Sequence, residues 1–155
     1  MNIWVDADAC PNAIKDILYR AADRVRVPLT LVANHALRTP PSRFIRSVQV
    51  PGGFDVADNR IVKELQAGDL VVTADIPLAA RCLKSGARVL GATGKPFTED
   101  SIGMALAMRD LKAHLRETGE IKGHVPNFTK QDRSRFLSAL EEAIQALRRR
   151  QPVAR

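Results

Sequence analysis

Five aspartates are placed where they can do chemistry together. Asp6 and Asp8 follow the apolar run Asn2–Asp6, and Asp75 follows the β-branched run Asp69–Thr73. Asp55 and Asp58 come after the turn Pro51-Gly52-Gly53. In an open parallel α/β sheet, ligands bind outside the carboxyl ends of the strands. Carboxylates gathered at such an edge repel one another unless a cation sits between them. Oxygen-only donors suit Mg²⁺ or Mn²⁺ rather than Zn²⁺. Asp55 has a second explanation, because an acid at a helix start caps free N–H groups and complements the dipole. No single cap accounts for both Asp6 and Asp75.

Other chemistries fit the residues less well. His35, His114 and His124 are scattered, which speaks against a zinc site or a catalytic triad. Cys10 stands at a helix start that can activate a thiol, but it reads first as a small packed side chain. Cys82 falls on the apolar face of its helix. Gly91-Ala92-Thr93-Gly94-Lys95 lacks the spacing of a phosphate loop, with Pro96 where Ser or Thr belongs, and reads as a turn. Asp6-Ala7-Asp8 also suggests a haloacid-dehalogenase-like aspartyl phosphatase. The chain contains no Asp-Asp pair to complete that pattern.

The elements that would position the acids follow from periodicity. Asn2–Asp6 predicts a buried strand. Pro11 opens a helix with Ile14, Ile17, Leu18, Ala21 and Ala22 at helical spacing. Pro28–Ala33 and Phe44–Val50 predict two more strands, separated by a loop that Pro40-Pro41 bars from being helical. A helix over Val56–Ala67, with Gly68 as its C-cap, leads to the strand Asp69–Thr73. Pro77 opens a helix that Gly86 closes, and Ala87–Leu90 is a further strand. A helical region runs from Thr98-Glu99-Asp100-Ser101 to about Glu117, and Gly119–Phe128 reads as a linker. Thr129-Lys130-Gln131-Asp132 looks like a capped start of a last helix, whose Phe136, Leu137, Leu140, Ile144 and Leu147 form one face packed on the domain. Apolar strands alternating with helices predict a helix-covered parallel sheet. The domain itself is expected over 1–117, with linker and C-terminal helix over 118–155.

Composition narrows the classes. The chain has 155 residues, 24 Lys+Arg, 17 Asp+Glu and a formal charge of +7, with only two Cys. Two Cys exclude a disulfide scaffold or a Cys-rich zinc module. No apolar run reaches the ~18 residues of a membrane span. No signal peptide is visible, which makes a cytoplasmic location the expectation. The positive charge is uneven: residues 1–108 carry 13 basic and 11 acidic side chains, residues 109–155 carry 11 and 6. Residues 24–54 and 76–98 contain no acids at all. Such stretches can pair with phosphates or simply keep a surface solvated. Arg148-Arg149-Arg150 suits a helix C-terminus.

Four segments carry a family resemblance. Trp4-Val5-Asp6-Ala7-Asp8-Ala9-Cys10-Pro11 resembles the opening signature of the bacterial YaiI/YqxD-like family of uncharacterised proteins. So do Leu37-Arg38-Thr39-Pro40-Pro41-Ser42, Gly53-Phe54-Asp55-Val56-Ala57-Asp58-Asn59 and Val72-Thr73-Ala74-Asp75-Ile76-Pro77-Leu78-Ala79. The resemblance spans about residues 2–145. The family's N-P-R-G-like segment stands here as Gly91-Ala92-Thr93-Gly94, without its Arg.

Family members are similar in architecture to PIN-like nuclease domains. That similarity implies a three-layer α/β/α fold with a central, mainly parallel sheet and a C-terminal helical extension. It further implies Asp6 as a first-strand metal ligand, Asp58 as the mid-chain acid and Asp75 as the second central ligand. Asp8 and Asp55 would bind directly or through water. Asp6, Asp8, Asp58 and Asp75 become the catalytic candidates. Arg38, Ser42 and Arg43 lie on a loop suited to a substrate phosphate, Arg through its bidentate fork. The expectation is a Mg²⁺- or Mn²⁺-dependent nuclease acting on RNA. An RNA- or metal-binding protein without turnover is the alternative, and a small-molecule phosphohydrolase a more distant one. The last amphipathic helix permits a homodimer, and no membrane partner is expected.

Overall fold

A computed structural model describes residues 1–8, 10–53, 55–119 and 128–150, the last without its side chain. The chain runs β1 (Ile3–Asp6), α1 (Asn12–Val25), β2 (Leu29–Ala33), β3 (Ile45–Gln49), α2 (Val56–Glu64) and β4 (Leu70–Val72). It continues through α3 (Ile76–Lys84), β5 (Arg88–Leu90), β6 (Pro96–Phe97), α4 (Glu99–Glu117) and α5 (Lys130–Arg150). The expected linker lies mostly outside the described residues.

Six strands form one sheet in the order β3-β2-β1-β4-β5-β6. All neighbours pair in parallel except β5 and β6. Successive side chains of a strand point to opposite faces, and helices cover both. Ile3, Val5, Leu29, Leu31 and Val72 pack with Ile14, Leu18 and Ala22 of α1 and with Phe136, Leu140 and Ile144 of α5. Trp4, Val32, Val71 and Val89 pack on the other side with Ile61 of α2 and with Leu78, Ala79 and Cys82 of α3. The result is the expected three-layer α/β/α arrangement. Burial on both faces explains why the strands read as continuous apolar runs.

The connection from β2 to β3 has no helix, as Pro40-Pro41 requires. The α5 helix begins with the expected reciprocal cap: Asp132 N donates to Thr129 Oγ1 and Thr129 N to an Asp132 oxygen. It is tied to α1 by Arg24–Glu141 and by Arg148 donating to the Val25 carbonyl. Leu137 departs from expectation. It is 44% exposed, because it sits off the seam formed by Phe136, Leu140, Ile144 and Leu147.

The α2 helix also departs, ending at Glu64 with Leu65 extended. The cause lies at the start of β4. Asp69, only 3% exposed, accepts from Gln66 N, from Asn2 N and from Trp4 Nε1. Its hold on Gln66 turns the chain away from the helix. Gly68 then takes φ +89° inside this turn rather than capping the helix.

Beyond these, the hairpin joining β5 to β6 is closed by Gly91 N donating to the Lys95 carbonyl and Gly94 N to the Gly91 carbonyl. The Gly91–Lys95 segment is thus a turn, as its sequence suggested.

Candidate active site

The strand order reverses at β1: the chain steps outward to β2 and β3, then crosses back to β4 on the other side. The carboxyl ends of β1 and β4 therefore part and leave a crevice. Asp6 is the last residue of β1, and Asp75 stands three residues beyond β4. A single open cavity of about 270 Å³ is lined by Asp6, Asp8, Asp55, Asp58 and Asp75 together with Asn34. All five predicted acids, from three separate segments, meet there.

Each is held differently. Asp6 Oδ2 accepts from Thr73 Oγ1 at 3.0 Å, and Thr73 Oγ1 accepts from Asp75 N at 3.0 Å. Asp75 Oδ1 accepts from Leu78 N at 3.0 Å, making Asp75 the N-cap of α3. Capping thus explains part of Asp75 but not Asp6, and leaves Asp75 Oδ2 for other use. Asp8 accepts from Asn34 N through both oxygens, at 3.1 and 3.0 Å, and faces His35 Nδ1 at 2.8 Å. Asp55 occupies the N-cap position of α2 with φ +61° but makes no side-chain cap, so capping does not account for its carboxylate. Asp58 lies in the first turn of α2.

The electrostatics reflect crowding. Burial pushes the Asp58 carboxyl up to about 6, with the charges of Asp75, Asp6 and Asp55 adding to the rise and Arg81 opposing it. Burial also raises Asp6; the Thr73 hydrogen bond lowers it, and the charges of Asp75 and Asp8 raise it again. Among the described residues, no salt bridge neutralises Asp6, Asp55, Asp58 or Asp75. Arg81 is turned to Asn59 Oδ1 at 2.9 Å, linking α3 to α2.

This donor set is the kind a hard divalent cation prefers: oxygens only, with uncompensated negative charge. The present spacing is wider than a coordination shell. Among the described residues, no group of three or more His, Cys, Asp and Glu side chains could hold a metal ion as it stands.

The predicted phosphate-binding residues are not brought to the acids. Ser42 and Arg43 precede β3, whose first residue Ile45 pairs with Leu29 at the amino end of β2. Asp6 pairs with Val32 near the opposite end, three residues further along β2, roughly 10 Å at the usual rise. Ser42 Oγ donates to Asp23 at the end of α1, and the Arg43 guanidinium lies 4.9 Å from the centroid of the Phe44 ring. Arg38 is exposed on the loop between and does not line the cavity.

Sequence reading also missed partners. Thr73 stands in the Val72–Asp75 segment that resembles the family, but its sequence position assigned it no partner. His35 appeared only as a loop histidine, and its pairing with Asp8 depends on β1 and β2 lying side by side. Cys10 carries no nucleophile signature, since burial pushes its thiol up to about 12.

Comparison with known proteins now decides the family. The model described as "Uncharacterized BCR, YaiI/YqxD family" matches residues 4–146. The chain belongs to the YaiI/YqxD family. This family match includes all five acids, Thr73 and His35. The chain is similar to a UPF0178 protein of Klebsiella pneumoniae subsp. pneumoniae, 54% identical over 151 residues that cover 97% of this chain and 99% of the relative. It is also similar to UPF0178 protein YaiI of Shigella flexneri and of Escherichia coli, each 54% identical over 142 residues, covering 92% of this chain and 93% of the relative. No solved structure matches the chain. Among the described residues, no helix of this family member is long and apolar enough to cross a membrane.

Proposed function

We propose that this YaiI/YqxD family member is a PIN-like nuclease that hydrolyses RNA phosphodiesters with the help of Mg²⁺ or Mn²⁺. One observation carries the reading: five aspartates from three segments share one crevice at the sheet's switch point, with no ion pair on four of them among the described residues. The chemistry supplied by a bound divalent cation is polarisation of the scissile phosphate and activation of an attacking water.

The chain's own residues do the positioning. Thr73 holds one oxygen of Asp6 and anchors the backbone of Asp75. The α3 N-terminus holds one oxygen of Asp75. Asn34 N and His35 fix Asp8 at the rim. Asp58, titrating near 6, is suited to hold or release a proton near neutral pH.

The alternative, a binder without turnover, is favoured by the spacing, since no three of these groups stand as a ready metal shell. The test is thermal melting and RNA cleavage with added Mn²⁺, for the wild type and for Asp6→Asn/Asp75→Asn. Stabilisation and cleavage by the wild type alone support the nuclease. Stabilisation or RNA binding without cleavage supports the binder. An identical response from the variant overturns the site itself.

A further inference from the structure

A second, larger cavity of about 710 Å³ adjoins the acidic crevice, and Asp75 lines both. Its walls come from the β5–β6 hairpin and from α4. The apolar part is Phe97, Met104 and Met108; the charged part is Lys95, Arg109, Lys112 and Arg116. Among the described residues, Asp75 is its one acid. Met104, Met108, Lys112 and Arg116 recur every four residues, so they form one row along α4, apolar at one end and cationic at the other.

Two features show that this row is not serving the fold. Met104 is 70% exposed and Met108 44%, while none of the 19 residues of α4 is buried. Among the described residues, Lys95, Lys112 and Arg116 form no ion pair. A partner for this groove must offer flat apolar groups and negative charge along one chain, and must run to the carboxylates at Asp75. Unpaired nucleotides do so: bases stack on aromatic and apolar side chains while phosphates lie along cations. In a duplex the base faces are already stacked and unavailable.

We infer that the groove between α4 and the β5–β6 hairpin binds a single strand of nucleic acid, its bases on Phe97, Met104 and Met108 and its phosphates on Lys112 and Arg116, and leads it to Asp75. The inference deepens the nuclease reading and rests on it for the direction of the strand.

The test is fluorescence anisotropy of the full chain in EDTA with a labelled oligouridylate of about 12 nucleotides, within the ~4–16 that single-strand grooves span. The wild type should bind it and should prefer it to a blunt duplex of equal length. Lys112→Glu/Arg116→Glu should weaken binding at least about tenfold and flatten the logarithmic salt dependence by roughly 1.4, at about 0.7 per phosphate contact. Met108→Ser should weaken binding without changing that slope. Arg20→Glu, exposed on α1 across the sheet, should change nothing. Circular dichroism should show all variants folded, because the altered positions are exposed.

Absence of wild-type binding, or equal binding by the Lys112/Arg116 variant, overturns the inference. So does a dimer in sedimentation that Met104→Asp/Met108→Asp dissolves, because that face would belong to a second copy. The two readings fail separately. Strand binding in EDTA without Mn²⁺-dependent cleavage removes the nuclease and keeps the groove. Cleavage with an unchanged KM in the Lys112/Arg116 variant removes the groove and keeps the nuclease.

Discussion

Thr73 Oγ1 donates to Asp6 Oδ2 at 3.0 Å, joining the ends of β4 and β1 across the switch point. The same oxygen accepts from Asp75 N, so one nearly buried hydroxyl spans both central acids. Thr73→Val keeps the branched shape and removes the hydroxyl. The Asp6 carboxyl should then titrate higher, since the hydrogen bond lowers it, and Asp75 N loses its acceptor. The expected stability loss is about 1–2 kcal/mol, read by denaturant unfolding, with the Asp6 shift read by NMR titration. An unchanged Asp6 titration would show the hydroxyl to be merely structural.

Asp58 gives stability a defined pH dependence. Its carboxyl is raised from 3.8 to about 6 in the folded protein, so the folded state binds the proton more tightly than the unfolded one. Its contribution is fully present below about pH 4 and is lost as pH rises to about 6. Asp58→Asn should therefore be more stable than the wild type at pH 7–8 and show no such gain near pH 4. The side chain is only partly buried, and solvent screening reduces the expected gain to about 1 kcal/mol. Equal differences at both pH values in urea melts would contradict the charge crowding.

Asp75 carries two roles that substitution can separate. Asp75→Ala removes the α3 cap and should cost about 1 kcal/mol. Asp75→Asn keeps a good capping side chain and removes the charge. It should hold its melting temperature while losing any Mn²⁺ response. A melting temperature that falls as far as in the Ala variant would mean that the charge itself, through the helix dipole, holds α3.

Gly94 joins the β5–β6 hairpin to α5. It has φ +86°, and a Cβ there would lie 2.6 Å from the Arg135 carbonyl carbon and oxygen. Gly94→Ala adds strain and a backbone clash that no rotamer relieves. A loss of about 2–4 kcal/mol follows, measurable as a lowered urea midpoint. A near-neutral result would mean that α5 moves off the hairpin easily.

Much of the architecture was legible because periodicity and punctuation agree along this chain. Pro11, Pro77, Thr98 and Thr129 mark four helix starts, and doubly buried strands must read as unbroken apolar runs. The misplaced features depend on distant partners. Local pattern carries α2 past Glu64, whereas Asp69 draws Gln66 into a turn that also holds Asn2 and Trp4. Helical spacing places Leu137 on a broad apolar stripe, whereas the seam that α1 and the sheet leave for α5 is narrower.

The sequence by itself determined the class of elements, their order and the five acids near strand ends and a helix start, because those follow from local pattern and from the chemistry of residue types. Tertiary structure decided which charges work together. Parallel pairing of β1 with β4 brings Asp6 beside Thr73 and Asp75, and pairing with β2 brings His35 to Asp8. The same register leaves Ser42 and Arg43 at the far end of the sheet and gives the basic rim to α4. Charges interact over a few ångströms in space, and distance along a chain does not reveal that separation once strands and crossovers fold it back on itself.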